Sequence, residues 1–532
     1  MYQILVSDKL GDDGLRRLDE ADDIIYDLKL GMTKAELLVV IPAYDAIIVR
    51  SGTKVDADVI RAGKRLKVVG RAGIGVDNID IHAASAQGII VMNTPQANAV
   101  ATAEQAITLM LALSRHTAVA HASLLSGSWQ RSEFVGRQLY RKCLGIIGFG
   151  RIGRLVSMRA LSFGMEVLAY DPFVAENVAR ELGVDLVDLD DLLGQADYIT
   201  LHTIITPETK SIINSVAIEQ MKQGVMIINT ARGKLIDEQA LAEAIQSGKV
   251  SGAAIDVYSE EPPVNNPLIG LTNVLHTPHL GASTVEAQRD VATQIVDQVA
   301  DALRGIDYRN AINMPFHAGP DFATIWPHME LAERIGTLQA AMANAPIRRV
   351  EVEVRGEMVD RLVRPVAAAL LKGLLENYLA DSVNYINAPI LAEEHGITLS
   401  QTKGMNLADY PNLISCRVLW DGGEQLMSGV LFGGSRPRIV QVDNYHLDIN
   451  PQGIILIMHN QDVPGVIGQV GTILAADMVN VGEWRMGRRR PNGEALSFIS
   501  LDNEPSAAVL PALEEISAVT KVTLVRLKPS TT

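Results

Sequence analysis

Three glycines in the middle of the chain have the spacing of a dinucleotide-binding loop. Gly148, Gly150 and Gly153 form a GxGxxG pattern directly after the apolar run CLGIIGF and directly before a helix-like segment. In that context the first glycine permits a tight turn, the second lets the backbone approach a pyrophosphate, and the third permits close packing of helix on strand. The predicted helix N-terminus, at Arg151 and Ile152, offers free N–H groups to the anion.

A carboxylate at the end of the next strand-like run indicates which dinucleotide binds. Asp171 ends the run EVLAYD, about twenty residues beyond Gly150, where an acidic residue meets the ribose hydroxyls. A carboxylate there accepts a hydrogen bond from a 2′-OH and repels a 2′-phosphate, so we expect NAD rather than NADP. Thr230 and Asp256, at the ends of two later strand-like runs, complete the predicted cofactor contacts.

If a nicotinamide is bound, reduction of a ketone also needs a proton donor and a cation that polarises the substrate. Arg232 in NTARG, Glu261 in DVYSEEPP and His279 in TPHLG each follow a predicted strand. Histidine is the natural acid/base because imidazoles titrate near neutral pH. The glutamate would hold one imidazole nitrogen, and the arginine would bind a carboxylate. Glu260 is the second candidate for the acid.

The elements that position these residues follow from the alternation of short apolar runs and helix-like stretches. That rhythm predicts βαβ units and parallel sheets, so two doubly wound, Rossmann-like α/β domains fill roughly the first three hundred residues. Beyond Asn313, the alternating run RVEVEVRGE is typical of an antiparallel strand in an α+β domain. The last stretch predicts a βαββαβ unit. The apolar face of its first helix comprises Val466, Val470, Ile473 and Leu474.

Composition excludes several classes of function. The 532 residues contain 47 Lys and Arg against 62 Asp and Glu, a net charge of −15 that repels phosphate backbones and anionic lipids. We therefore expect no nucleic-acid or membrane partner. Cys143 and Cys416 are far apart with no histidine at ligand spacing, so neither a disulfide framework nor a metal site is expected. Without a signal segment, we expect a reduced, cytoplasmic protein.

The segments GFGRIG, YDP, NTARG, DVYSEEPP and TPHLGAST resemble the signatures of the D-isomer-specific 2-hydroxyacid dehydrogenases. The resemblance covers residues 1 to about 313. It implies an oxidoreductase in which Arg232, Glu261 and His279 form the catalytic triad, in a cleft between two lobes. It also implies that an NAD-binding Rossmann domain, residues 96–282, is inserted between two parts of a substrate-binding domain, residues 1–95 and 283–313.

The C-terminal third resembles the long members of this family. HNQDVPGVIGQVGTIL is similar to the start of an ACT regulatory domain, and FGGSRPRIVQVDNYHLDINPQG to the end of an intervening domain. We expect an intervening domain at 314–450 and an ACT domain at 451–532. The resemblance implies NAD-dependent oxidation of D-3-phosphoglycerate to 3-phosphohydroxypyruvate, the first step of the phosphorylated pathway of L-serine biosynthesis.

The same resemblance suggests residues that bind substrate. Arg50, Arg71 and Asn98 would face it, with the two arginines on the phosphate, although both could instead be solvated arginines at strand ends. Independently of the resemblance, the turn at Gly73 would either offer backbone N–H groups to a substrate anion or be a plain structural turn. Arg131 lies in a segment that resembles the dimerisation arm of the family, so it would serve the neighbouring subunit of a homodimer or homotetramer. The glycine turn that contains Gly73 also extends to Asn78, in a pattern that we do not interpret as a second dinucleotide site.

A regulatory ligand is expected in the last domain. By resemblance, Asn460, Asp462 and Asn480 would bind L-serine between subunits. Alternatively, Asp462 caps the helix that begins after Pro464, and the domain only holds subunits together.

Two other functions stay open for the whole chain. They are a dehydrogenase for hydroxypyruvate or glyoxylate, and a nonenzymatic NAD-sensing scaffold similar to transcriptional corepressors.

Overall fold

The computed structural model describes residues 1–316, 322–356, 358–376, 378–379, 383–404 and 412–527. Parts of the predicted intervening domain, and the end of the predicted ACT domain beyond residue 527, therefore lie outside the described residues. Within them, no helix has both the length and the apolar composition needed to cross a membrane.

The first lobe is built on a five-stranded parallel sheet in the order β2-β1-β3-β4-β5. Helices cover both faces, which is why the central strand β3 is buried at every residue. Its elements are β1 (Tyr2–Val6), α1 (Asp12–Asp19), β2 (Ile24–Leu28), α2 (Lys34–Val40), β3 (Ala46–Val49), α3 (Ala57–Ala62), β4 (Val68–Arg71), α4 (Ile81–Ala86) and β5 (Ile90–Met92).

The second lobe has a seven-stranded parallel sheet in the order β12-β11-β10-β9-β6-β7-β8. The strand order reverses between β6 and β9, and open α/β sheets bind ligands in the crevice at such a point. Its elements are α5 (Ala99–Ser114), α6 (Thr117–Leu125), β6 (Cys143–Ile147), α7 (Arg151–Ser162), β7 (Glu166–Tyr170), α8 (Glu176–Arg180), β8 (Asp185–Leu186), α9 (Leu189–Gln195), β9 (Tyr198–Leu201), α10 (Ser215–Gln220), β10 (Val225–Asn229), α11 (Glu238–Gln246), β11 (Val250–Ile255) and β12 (Val274–His276).

The chain then returns to the first lobe through helix α12 (Val285–Arg304). Thr284 caps its N-terminus by accepting a hydrogen bond from the N–H of Ala287, and Gly305 ends it in the left-handed conformation. The apolar face of α12 joins the core of the first lobe, where a Cβ on Gly70 would lie 2.6 Å from Val299. Two segments therefore connect the lobes, one before α5 and one before α12.

The third region places two long helices on a mixed six-stranded sheet in the order β14-β13-β15-β16-β17-β18. The valines of β13 alternate with charged residues and point into the core, as the sequence predicts. Its elements are α13 (Phe322–Met342), β13 (Ile347–Arg355), α14 (Val359–Leu375), α15 (Ala388–Glu394), β14 (Thr398–Gly404), β15 (Leu413–Trp420), β16 (Gly423–Phe432), β17 (Arg436–Val442) and β18 (Tyr445–Ile449).

The last region has the βαββαβ order, with a sheet arranged β20-β21-β19-β22. The predicted apolar face of its first helix packs on the sheet. Pro511 is tolerated because it lies in the first turn of the second helix, where its missing N–H has no partner to lose. The elements are β19 (Gly453–Gln461), α16 (Val466–Ala476), β20 (Val481–Arg488), β21 (Glu494–Leu501), α17 (Val509–Glu514) and β22 (Val519–Leu527). The predicted class of two Rossmann-like domains followed by mixed-sheet regions is confirmed.

Candidate active site

The glycine loop joins β6 to α7 at the point where the strand order of the second sheet reverses. Gly148 has φ +94°, and a Cβ there would lie 2.6 Å from the carbonyl carbon of His202. A Cβ on Gly153 would lie 2.2 Å from the carbonyl oxygen of Gly148, so helix and loop touch through backbone. Gly150 has open space around its Cβ position and caps α7 without any side-chain hydrogen bond. This geometry fits a pyrophosphate at the helix N-terminus.

Asp171 lies beside this loop. Its Oδ2 accepts the N–H of Phe149 at 2.9 Å and its Oδ1 accepts the N–H of Phe173 at 3.0 Å, so the carboxylate is oriented before any ribose binds. The buried Oγ1 of Thr230 has no hydrogen-bond partner in the described part of the chain, which fits a polar cofactor group. Both observations are consistent with the predicted cofactor contacts.

The two predicted residues at the start of α7 differ in what their side chains do. The Arg151 guanidinium donates from Nη1 to the carbonyl oxygen of Pro95 at 2.9 Å, which ties the glycine loop to the segment that enters the second lobe. The Ile152 side chain packs against the core of that lobe. The backbone N–H groups of both residues lie in the first turn of α7, and their contact with the cofactor stays a prediction.

His279 and Glu261 form a hydrogen-bonded pair at the ends of neighbouring strands. His279 Nδ1 lies 2.7 Å from Glu261 Oε2, and Glu261 Oε1 accepts the N–H of Tyr258 at 3.1 Å. Burial alone would raise the pKa of Glu261, but the hydrogen bonds from His279 and Tyr258 and the positive charge of Arg232 lower it overall. The carboxylate is therefore an anion at neutral pH. Glu261, rather than Glu260, is the acid that contacts the imidazole.

The loop that carries His279 is held by Asp256. His279 has φ +54° and donates its N–H to the carbonyl oxygen of Asp256 at 2.8 Å. The Asp256 carboxylate is fully buried and accepts the N–H groups of Leu280 at 2.8 Å and Gly281 at 2.9 Å. In the structure this side chain shapes the histidine loop. Its contact with the cofactor stays a prediction.

Arg232 projects from the NTARG turn after β10. Asn229 shapes that turn, because its side chain accepts the N–H of Ala231 at 3.0 Å and donates to the carbonyl oxygen of Arg232 at 2.9 Å. The Arg232 guanidinium donates from Nη1 to the Ala231 carbonyl at 2.7 Å and from Nε to Asp77 Oδ2 at 2.9 Å. Asp77 belongs to the first lobe, so the arginine reaches across the cleft between the lobes.

The positive charges of three arginines act together in this cleft. The pKa of Arg71 is lowered to about 10, first by burial and then by the positive charges of Arg232 and Arg50. Such mutual repulsion between cations favours binding of an anion among them. The buried Nε of Arg71 has no hydrogen-bond partner among the residues that the structure describes. The predicted substrate arginines are therefore brought together with the predicted catalytic arginine.

The glycine turn of the first lobe makes room for these side chains. Gly73 has φ +143°, and a Cβ there would lie 1.5 Å from Nη1 of Arg71. A Cβ on Gly75 would lie 1.7 Å from Nη2 of Arg232. The pattern that looks like a degenerate dinucleotide loop is thus a place where two guanidinium groups pack against bare backbone.

Sequence reasoning missed three polar residues that position this site. Asp8 Oδ2 accepts the N–H groups of Arg50 at 2.6 Å and Thr53 at 3.0 Å, and Asn78 Nδ2 donates to the Arg50 carbonyl at 2.7 Å. The third is Asp77. Asp8 ends the first apolar run of the chain, which is the signal that could have found it. Asp77 and Asn78 stand inside the glycine pattern itself.

Two predicted substrate residues lie in different surroundings. Asn98 is buried at the start of α5, and its Oδ1 has no partner in the described ranges, so it could receive a hydrogen bond from a ligand. Arg131 begins an exposed one-turn helix, Arg131–Glu133, that follows α6, a helix without buried residues. No hydrogen bond or ion pair between described residues joins Arg131 to the arginine cluster of its own chain. Its contact with a substrate stays a prediction.

The predicted effector residues are not brought together within one chain. Asn460 is 4% exposed near the end of β19, and the Asp462 carboxylate pairs with Nη1 of Arg488 at 2.7 Å. Asn480 precedes β20 and donates to the Asp502 carboxylate at the other end of the sheet, roughly 20 Å away along the strands. The alternative that Asp462 caps α16 is wrong, because Gly465 caps that helix without a side-chain hydrogen bond.

The comparison with known proteins agrees with this geometry. The sequence profile of the D-isomer specific 2-hydroxyacid dehydrogenase NAD binding domain matches residues 107–281, and that of the D-3-phosphoglycerate dehydrogenase intervening domain matches residues 324–443. A D-3-phosphoglycerate dehydrogenase from Synechocystis is 39% identical over 99% of this chain and 95% of its own length. The chain belongs to the D-3-phosphoglycerate dehydrogenase family. It is therefore an NAD-dependent dehydrogenase.

Further relatives show how far each part of the likeness extends. A D-3-phosphoglycerate dehydrogenase from Archaeoglobus fulgidus is 40% identical over 99% of this chain and its own full length. The solved D-lactate dehydrogenase from Escherichia coli is 30% identical, with a TM-score of 0.53, over 59% of this chain and all of its own. A formate dehydrogenase from Staphylococcus aureus, solved with NAD, is 28% identical with the same TM-score over 58% of this chain. The share of this chain that these shorter enzymes cover corresponds in length to the two lobes alone.

Proposed function

We propose that this chain oxidises D-3-phosphoglycerate to 3-phosphohydroxypyruvate with NAD, the first step of the phosphorylated pathway of L-serine biosynthesis. The observation that carries the proposal is the arginine cluster beside the histidine and glutamate pair. The substrate carries a carboxylate on one side of its reacting carbon and a phosphate on the other. A site with three guanidinium groups matches those two anions, since a guanidinium binds both carboxylate and phosphate.

The chemistry follows from the positions of the side chains. Oxidation removes a proton from the C2 hydroxyl and a hydride from C2. NAD, when bound at the glycine loop, supplies the hydride acceptor. The hydroxyl proton passes to Nε2 of His279, because Nδ1 is held by Glu261. The anionic Glu261 stabilises the imidazolium that results, while Arg232 holds the substrate carboxylate next to the reacting carbon.

The phosphate is assigned to Arg50 and Arg71. Arg71 is half-buried and its Nε has no hydrogen-bond partner within the described ranges, while the backbone of Arg50 is held by Asp8 and Asn78. A substrate without phosphate would leave these two arginines with only the partial compensation that the negative charges of Asp8 and Asp77 give to Arg71. The curated relatives over the whole length are named for a phosphorylated substrate, which also supports the assignment.

The test compares phosphohydroxypyruvate with hydroxypyruvate as substrates for NADH oxidation. We expect kcat/KM to be higher for the phosphorylated compound. Arg50→Ala should raise KM for it about tenfold or more and change KM for hydroxypyruvate little, because only one substrate uses that cation. Arg61→Ala, an exposed arginine of the same lobe, is the matched control. Preference for hydroxypyruvate would support the rival dehydrogenase, and NADH binding without any turnover would support the scaffold.

We also propose that the chain assembles as a homodimer or homotetramer through α6 and the segment that follows it. Leu125 is 75% exposed and Trp129 is 79% exposed, and such large apolar side chains favour burial against a second chain. Arg131 would then approach the cleft of the neighbouring subunit. Sedimentation of Trp129→Ser beside the wild type tests this, since the variant should form smaller species. The cytoplasmic location and the L-serine effector stay predictions from the sequence.

A further inference from the structure

One ion pair joins the two lobes directly at the catalytic arginine. Asp77 lies in the loop after β4 of the first lobe, and Arg232 lies in the loop after β10 of the second. Nε of Arg232 donates to Oδ2 of Asp77 at 2.9 Å. The Asp77 side chain is 65% exposed, so this pair adds little to the free energy of unfolding. Its consequence lies in the orientation of the arginine.

The guanidinium of Arg232 is held at two points. Nη1 donates to the Ala231 carbonyl of its own turn, and Nε donates to Asp77 from the opposite lobe. Of the five N–H groups of an arginine, those that remain lie on the terminal nitrogens, beside the bare backbone of Gly75. Without the Nε contact, the planar group could rotate about its side-chain torsions away from this turn.

Charge supports the same role. Arg71 and Arg232 repel one another across the turn, and the negative charge of Asp77 acts on Arg71 in the opposite sense. Removing that charge would leave two cations facing each other at the glycine turn, where a long side chain can relieve the repulsion by turning into solvent. Arg232, which is 29% exposed, has the freedom to do so.

We propose that Asp77 is the positioning residue of Arg232. It holds the guanidinium from across the cleft, so that the terminal N–H groups meet the substrate carboxylate only when both lobes are in place. The proposal rests on the proposed function in that it takes a 2-hydroxy or 2-oxo acid carboxylate as the ligand of Arg232. It does not depend on the phosphate.

The test measures kcat, KM and the Kd of NADH for Asp77→Ala and Asp77→Asn. We expect Asp77→Ala to raise KM for phosphohydroxypyruvate about tenfold, because it releases the arginine that holds the carboxylate. The Kd of NADH should stay within twofold of the wild type. Asp77→Asn should have an intermediate KM, since the amide oxygen can still accept from Nε while the charge is lost. Asp23→Asn, which removes the negative charge from the partly exposed pair with Arg304, is the matched control.

A double-mutant cycle with Arg232→Lys separates positioning from a general electrostatic effect. Lysine has no Nε–H group that could donate to Asp77. In the Arg232→Lys background, Asp77→Ala should therefore weaken the binding of 3-phosphoglycerate far less than it does in the wild-type background. Calorimetry with NADH present measures this binding. Equal effects in both backgrounds, or a KM of Asp77→Ala within twofold of the wild type, would overturn the inference. If the wild type reduces another 2-oxo acid but not phosphohydroxypyruvate, the proposed function fails while the same cycle still tests Asp77 with that acid.

Discussion

The dehydrogenase cleft and the C-terminal βαββαβ unit differ in what one chain can assemble. In the cleft, Arg232, Glu261 and His279 each follow a strand, and the structure brings all three together although 47 residues of sequence separate the first from the last. In the C-terminal unit, Asp462 also follows a strand, but Asn480 precedes one. The structure places these two residues at opposite ends of the sheet.

The direction of the strands explains the difference. In a parallel sheet all strands end at the same edge, so residues just after successive strands converge. In a β-helix-β connection the helix runs back along the sheet, so the residue before the second strand lies at the start of the first strand. A site made of Asp462 and Asn480 therefore requires two chains, whereas the catalytic residues meet within one.

The largest expected effect tests the cleft. His279→Ala should lower kcat by about 10² to 10⁴, because a general acid/base contributes rate enhancements of that order. The Kd of NADH should change little, since the cofactor contacts predicted at the glycine loop and at Asp171 do not use the imidazole. His446→Ala, an exposed histidine on β18, serves as the control. A kcat within threefold of the wild type would show that convergence at the strand ends has not produced the acid/base.

Glu261→Gln should reduce kcat less, by about tenfold to a hundredfold, and change the pH profile. The pKa of Glu261 is lowered from its ordinary value of 4.5, so the anion and its contribution to stability are complete above that pH and are lost as the pH falls through the lowered value. The anion stabilises the imidazolium that forms when the proton of the alcohol moves to His279. The loss of kcat in Glu261→Gln should therefore be largest at pH values where the wild-type Glu261 is an anion, and smaller as the pH falls through the lowered pKa of Glu261. A loss of kcat that is the same at every pH would contradict the pairing.

The sequence predicts the parts of the molecule that depend on local pattern. Periodicity predicts the parallel sheets, and the GxGxxG loop predicts the nucleotide end of the cleft. It does not predict that the turn from Gly73 to Asp77 packs two guanidinium groups, because the distance between Gly75 and Arg232 is set by how one lobe lies on the other. The role of Asp77 cannot be predicted for the same reason, although the residue stands inside the glycine pattern. Its partner is 155 residues away in the other lobe.

A smaller effect is expected at the nucleotide end of the cleft. Asp171→Ala should reduce the preference for NADH over NADPH about tenfold, since the variant loses the acceptor for the 2′-OH and the charge that repels a 2′-phosphate. Because the carboxylate also holds the Phe149 N–H, affinity for both cofactors should fall somewhat. Asp171→Asn retains an acceptor and isolates the charge, while Asp190→Ala on α9 is a neutral control. Equal use of both cofactors by the wild type would remove the basis of this prediction.

The smallest effect on the uninhibited enzyme, and the sharpest test of the comparison, concerns the C-terminal unit. Asp462→Ala and Asn480→Ala should each leave kcat unchanged and cost only about 1 kcal/mol of stability. The contact of Asn480 is exposed, and the Asp462 carboxylate, although only 17% exposed, pairs with an exposed guanidinium. If L-serine inhibits the wild type through a site shared by two chains, each variant alone should be insensitive to it.

A mixed dimer of the two variants would contain one site with both changes and one intact site. Co-expression with two affinity tags isolates that dimer, and it should regain serine binding at about half the wild-type stoichiometry by calorimetry, with glycine and L-alanine as control ligands. A mixed dimer without serine binding, when the wild type binds it, would mean that the two residues do not share a site across chains.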